Sequence, residues 1–381
     1  MADITAAPTH DISHDRYASV SDTDAQLAVR LWLAVMVALV FAMIVVGGAT
    51  RLTDSGLSIT EWKPILGAIP PLSAADWQEA FEKYRQIPEY QLQNKGMSLE
   101  AFKFIFWWEW AHRFLGRLIG LAFAVPFVWF WATGRLRRAQ IPGFVTLLVL
   151  GGLQGFAGWY MVQSGLVDRV DVSQYRLALH LTLAMVIFAG LVWALLQAGR
   201  GGATRTPALR APGGVAGQVV PAAWFRSALI APALIIAALF LQIVLGALVA
   251  GMKAGLVYNT WPTMNGAWVP EGLFQMAPWY INAFENATLV QFNHRVMAYV
   301  LTALVVWQVI RVMRHGASPL ERSSAIALAL AVAVQATMGI WTLLAHVPLW
   351  LGLVHQGGAA VVLGVAVWHL HGVRRRVLSG A

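Results

Sequence analysis

The sequence contains no cysteine. That excludes disulfides, thiolate-held metals and covalent c-type haem attachment, and it leaves the redox compartment open. Charge is also scarce. Only 12% of the 381 residues are Asp, Glu, Lys or Arg, against roughly 25% in a soluble globular domain. Acids are the rarer sign, 18 against 27 Lys and Arg, for a net charge of +9. The basic residues do not form the single stripe that a nucleic acid would need. They stand in short clusters between apolar runs, which is a membrane pattern, and no nucleic-acid partner is expected. The first 28 residues lack an early apolar stretch and carry Asp3, Asp11, Asp15, Asp22 and Asp24. They fit neither a secretory signal nor a mitochondrial transit peptide. A bacterial inner membrane is the simpler address.

What the chain has instead is apolar length: 58% of it is hydrophobic. Eight runs are long enough to cross a bilayer as helices, at 29–50, 105–132, 142–163, 176–198, 226–250, 290–312, 323–345 and 349–371, since a crossing takes about 20 residues. Long polar segments at 51–103 and 251–289 follow spans one and five. Arginines cluster in the alternate short loops: Arg135, Arg137 and Arg138; Arg200, Arg205, Arg210 and Arg226; Arg311, Arg314 and Arg322; and Arg374, Arg375 and Arg376. The positive-inside rule then puts both termini in the cytoplasm and both long segments outside. The predicted organisation is a cytoplasmic tail (1–28), an N-terminal four-helix half (29–198), a Gly- and Arg-rich linker (199–225), a C-terminal four-helix half (226–371) and a basic tail (372–381).

The halves repeat. EWAHRFLGR (109–117) opens span two and QFNHRVMAY (291–299) opens span six. Gln154-x-x-x-Gly158 in span three matches Gln335-x-x-x-Gly339 in span seven. GLSITEW (56–62) matches GLVYNTW (255–261), and His180 of span four matches His355 of span eight. Four matches in one order make a parallel repeat. The fold class expected is all-α, with eight transmembrane helices in two pseudo-symmetric four-helix bundles.

Of ten histidines, His112, His180, His294 and His355 lie one or two turns inside the outer ends of the even-numbered spans. An ionisable residue there is a functional hypothesis by default. A haem iron accepts two axial imidazoles, which the facing helices of one bundle can supply; zinc usually takes three close ligands. A small residue follows each histidine by four: Gly116, Ala184, Ala298 and Ala359. Singly, each histidine could equally be an interhelical hydrogen-bonding residue. The others (His10, His14, His315, His346, His369 and His371) read as solvated. Arg113 and Arg295, next to His112 and His294, suit haem propionates or lipid phosphate. Glu109 lies on the His112 face, and its repeat counterpart is Gln291. That makes Glu109 either a proton-handling group or an interfacial partner of Arg113 or Lys103.

The Glu-x-x-His-Arg of span two, the Asn-His-Arg of span six, the lone histidines of spans four and eight and the duplication together resemble haem A synthase over residues 29–371. The resemblance implies oxidation of the ring-D methyl of haem O to a formyl group. It would run through two hydroxylations and loss of water, giving haem A for cytochrome oxidase. It places the substrate haem between His112 and His180, with Glu109 catalytic, and haem b between His294 and His355. It also implies partnership with haem O synthase, oxidase assembly factors and a redox partner, and is compatible with a homo-oligomer. Some members carry an outer-loop cysteine pair that this chain lacks. Trp62, Pro64, Trp261 and Pro262 are expected to cap the two sites. Two alternatives stay open on the residues alone: a di-haem cytochrome that only carries electrons, and a duplicated transporter.

Overall fold

The computed structural model describes residues 12–63, 66–167, 170–199, 222–314 and 317–379. Pro64, His315 and most of the linker, 200–221, lie outside them. Eight described helices are long and apolar enough to cross a membrane: Asp24–Leu52, Leu99–Ala132, Arg138–Leu166, Gln174–Ala198, Ala228–Gly251, Ala287–Arg314, Pro319–Leu344 and Leu349–Leu378. Among the described residues there is no strand, only an isolated bridge between Met264 and Ala267.

The helices are α1 (Ile12–Leu52), α2 (Ala74–Tyr84), α3 (Pro88–Leu92), α4 (Leu99–Ala132), α5 (Ile141–Val167), α6 (Gln174–Ala198), α7 (Ala222–Gly251), α8 (Asn282–Glu285), α9 (Ala287–Arg314), α10 (Pro319–Leu344) and α11 (Leu349–Ser379). Two of the predicted tails are helical. α1 reaches back to Ile12, and α11 carries the basic residues 372–379. Local signals set the ends. The Ser73 and Ser318 side chains accept from the backbone N–H of Asp76 and Glu321, whose carboxylates return the bond, and Ser98 caps α4; each satisfies N–H groups that a helix start leaves open. Pro126 and Pro232 lie inside α4 and α7, as membrane helices tolerate when neighbours re-satisfy the freed carbonyls.

Packing neighbours close two rings. In the first half α1 meets α4, α4 meets α5, α5 meets α6, and α6 returns to α1; in the second the order is α7, α9, α10, α11 and back to α7. α4 and α6 are therefore diagonal partners, as are α9 and α11. The halves join through α6 on α7 and through α11 on both α1 and α6. One core runs through both and includes Leu33, Met36, Phe127, Phe188, Leu191, Ile235, Leu328 and Leu363. Trp32 sits inside it, packed on Phe123, Phe130 and Phe144, with its indole N–H on the Ala122 carbonyl at 2.8 Å. Leu121, Val125, Leu153, Phe156, Leu330 and Val334 point outward, as helices facing lipid should.

Two sequence expectations need correction. The segment 51–103 reads as a polar loop, yet it folds over the first half around its own apolar core: Phe81, Tyr84, Ile87 and Tyr90 against Phe102, Ile105 and Phe106 of α4. The aromatic residues of α2 and α3 form it, and the prolines hid their periodicity. His369 and His371 are not solvated but buried. His369 lies between the Gln308 amide (2.8 Å) and the Ser324 hydroxyl (2.9 Å), and His371 stands edge-on to Trp193. Both are buried because α11 stays packed to its C-terminal end.

Candidate functional site

Each of the four histidines projects from a helix of a diagonal pair: His112 on α4 with His180 on α6, and His294 on α9 with His355 on α11. Each ring lies against a glycine of an intervening helix. A Cβ built on Gly47 would stand 3.2 Å from His112, on Gly158 3.0 Å from His180, on Gly246 3.1 Å from His294 and on Gly339 2.7 Å from His355. Any larger residue would push the ring aside. These are cradles that a side chain would fill.

Glutamines one turn from three of those glycines reach the same rings. Gln154, Gln242 and Gln335 donate to the backbone carbonyls of His180, His294 and His355 at 3.2, 3.1 and 2.8 Å. The same amide nitrogens lie 3.1, 3.1 and 3.2 Å from the Nδ1 atoms.

Glu109 is 2% exposed. Its Oε1 accepts from Arg113 Nη2 and Nε at 2.6 and 3.0 Å. Its Oε2 accepts from the Ser58 hydroxyl at 2.7 Å and the Ile59 N–H at 2.6 Å. The guanidinium also donates to the carbonyls of Ile59 and Glu61, so Arg113 and Glu109 together clamp residues 58–61 against α4. Lys103 pairs with Glu100 instead. The second half repeats the clamp without the carboxylate. Arg295 donates to the carbonyls of Tyr258 and Thr260, and the Gln291 amide donates to Tyr258. Trp62 lies over the Arg113 guanidinium, while the Trp261 indole donates to the Tyr299 hydroxyl.

The donor set suits an iron porphyrin. Two imidazoles come from opposite sides of a ring of helices, and glycine gaps lie beside each imidazole. Among the described residues no three of His, Asp and Glu gather as a metal-ligand group.

A family model described as "Cytochrome oxidase assembly protein", COX15-CtaA, matches residues 30–367. This chain belongs to that family. Among its relatives are proteins named "Heme A synthase" from Parvibaculum lavamentivorans, 54% identical over 93% of this chain and 97% of the relative, and from Agrobacterium fabrum, 52% identical over 90% and 89%. A third, from Methylobacterium sp., is 54% identical over 90% and 91%.

In this COX15-CtaA member the structure gathers the predicted Glu109, His112, Arg113 and His180 in the first half, and His294, Arg295 and His355 in the second. Reading the sequence missed Ser58, Gln242, Gly47 and Gly246. A signal for the last three was present: Gln242 and Gly246 have the spacing of Gln154 and Gly158, and Gly47 lies at the same place in span one. The small residues one turn past each histidine are a weaker clue; a Cβ on Gly116 meets only Met43, at 3.4 Å.

Proposed function

We propose that this chain is a haem A synthase: a membrane oxidoreductase that converts the ring-D methyl of haem O to the formyl of haem A by two hydroxylations and loss of water. The observation that carries the proposal is the seating of paired imidazoles on diagonal helices, each against a glycine, in both halves. The relatives' names favour the enzyme over a cytochrome that only carries electrons. The substrate haem lies between His112 and His180 in the 29–198 half, and haem b between His294 and His355 in the 226–371 half. The two units are read as pseudo-symmetric four-helix bundles, with both termini in the cytoplasm of an inner membrane, as the arginine-bearing loops support. Haem O synthase, assembly factors and a redox partner complete the pathway.

Bound haem supplies the redox chemistry. The chain's residues supply position and water exclusion. His112 and His180 orient the substrate ring, and the α2–α3 segment shields the outer side of the first site. Glu109, where the second half has Gln291, is one polar difference between the halves. It takes or gives a proton only if one of its four donors moves, and the Ser58 hydroxyl is the donor that can rotate without breaking the clamp. Arg113 and Arg295 hold the outer segments. The buried Arg295 Nε has no partner among the described residues and suits a propionate. Trp62 and Trp261 flank the sites, the second with Pro262. The test is the pigment of the purified full chain from cells making haem O. Haem B together with haem O or haem A is expected; haem B alone, at two per chain, would overturn the enzyme reading.

A further inference from the structure

The repeat that supplies a glutamine to three histidines fails at the fourth. Gly47 of α1 corresponds to Gly246 of α7, so the position of Gln242, one turn earlier, is occupied in α1 by Met43. A thioether has no N–H to donate and is at most a weak acceptor. Among the described residues no hydrogen bond reaches the His112 ring. The ring is also turned. His180, His294 and His355 present Cε1 to their glycines, whereas His112 presents Nε2, with Cδ2 next nearest. Two independent features, the missing amide and the different edge, mark the same residue.

We infer that the lack of an amide at position 43, where α1 has Met43, leaves His112 the loosely held ligand, so that the N-terminal half exchanges its haem while Gln242, Gln335 and their histidines retain the other. The inference rests on the haem reading above and deepens it: a site that takes in a substrate and releases a product must break iron–imidazole contacts at each turnover, and a cofactor site must not. An amide bonded to a ligand's own helix turn and lying against its ring fixes the ring's orientation. Outer partners of this kind commonly change metal affinity by about 10–100-fold. Three such partners are present, and the absent one is in the half that the family resemblance gives to the substrate.

The test uses the full-length protein in detergent, loaded with haem B and mixed with excess apomyoglobin as acceptor, with transfer followed in the Soret band. Wild type should lose haem in a fast and a slow phase. Met43→Gln should slow the fast phase by about tenfold, and Gln242→Met should speed the slow phase comparably. In Met43→Gln the low-spin electron paramagnetic resonance signal of the first site should also move toward that of the second, because ring orientation sets it. Met43→Leu, which restores no donor, should leave both phases unchanged. Unaltered rates in both swaps, with two haems still bound, would overturn the inference alone. Pigment unaffected by His112→Ala and His180→Ala would overturn the haem reading beneath it.

Discussion

Oε1 of Glu109 meets Nη2 of Arg113 at 2.6 Å, four residues along the same face of α4, whereas the corresponding Gln291 and Arg295 both turn to the carbonyl of Tyr258. The second half shows that an amide suffices to hold an outer segment in place. The clamp as such does not call for a negative charge, so the clamping role and the charge of Glu109 can be tested separately.

That comparison makes Glu109→Gln the informative variant. It should keep both haems and the fold, because it copies the second half, yet lower the yield of haem A by about 100-fold or more, as loss of a proton-handling group does. Extracted pigment analysed by chromatography checks it. An unchanged haem A fraction would remove Glu109 from the chemistry.

Gly339 lies closest of the four glycines to its histidine. Gly339→Val should expel the imidazole of His355 from its seat and remove one haem per chain. The pyridine haemochrome of purified protein should fall to half that of wild type. Gly151→Ala, at a helical position with nothing within 4 Å, should leave the ratio alone. Equal haem content in both variants would show that the cradles do not govern binding.

Glu89 in the outer segment is buried, with Tyr84 and Asn94 donating to Oε1 and Oε2 unpartnered. Burial pushes its carboxyl up from 4.5 to about 8, against the lowering effect of the Tyr84 bond, and the carboxylates of Asp54, Glu109 and Asp171 add to the rise. A raised acid binds its proton in the folded state after the unfolded chain has lost it. This group's contribution to stability is therefore greatest below pH 4.5 and declines as pH rises toward about 8. Glu89→Gln should flatten the pH dependence of thermal unfolding across that window, read by tryptophan fluorescence. A slope identical to wild type would mean that Glu89 is ionised at neutral pH.

His369 is more deeply buried than the four proposed ligands, but its two nitrogens are occupied by Gln308 and Ser324. His369→Leu should lower stability by about 1–3 kcal/mol, the cost of stranding buried partners, and leave the haem spectrum unchanged. Loss of a haem would place a ligand at the C-terminal end of α11.

The spans were legible because lipid demands long apolar runs, and the four histidines because an imidazole inside such a run is conspicuous. The outer cap was not: Phe81, Tyr84 and Tyr90 stand on short helices between prolines, so no sustained period betrays them. The buried His369 was misread because the arginines after it resemble a solvated tail, although the helix face bearing it stays apolar through Val373 and Val377, both buried. Gln242 and Gly246 were legible in principle. Their spacing matches the pairs in spans three and seven, but only the packing of α7 on α9 shows what the spacing does.

The most direct test is the axial ligation of iron in the purified chain. Magnetic circular dichroism of the oxidised protein should give two bis-imidazole haems. His112→Ala or His180→Ala should abolish one and leave the other; His294→Ala or His355→Ala should do the reverse. Two bis-imidazole signals that survive all four substitutions would contradict the account.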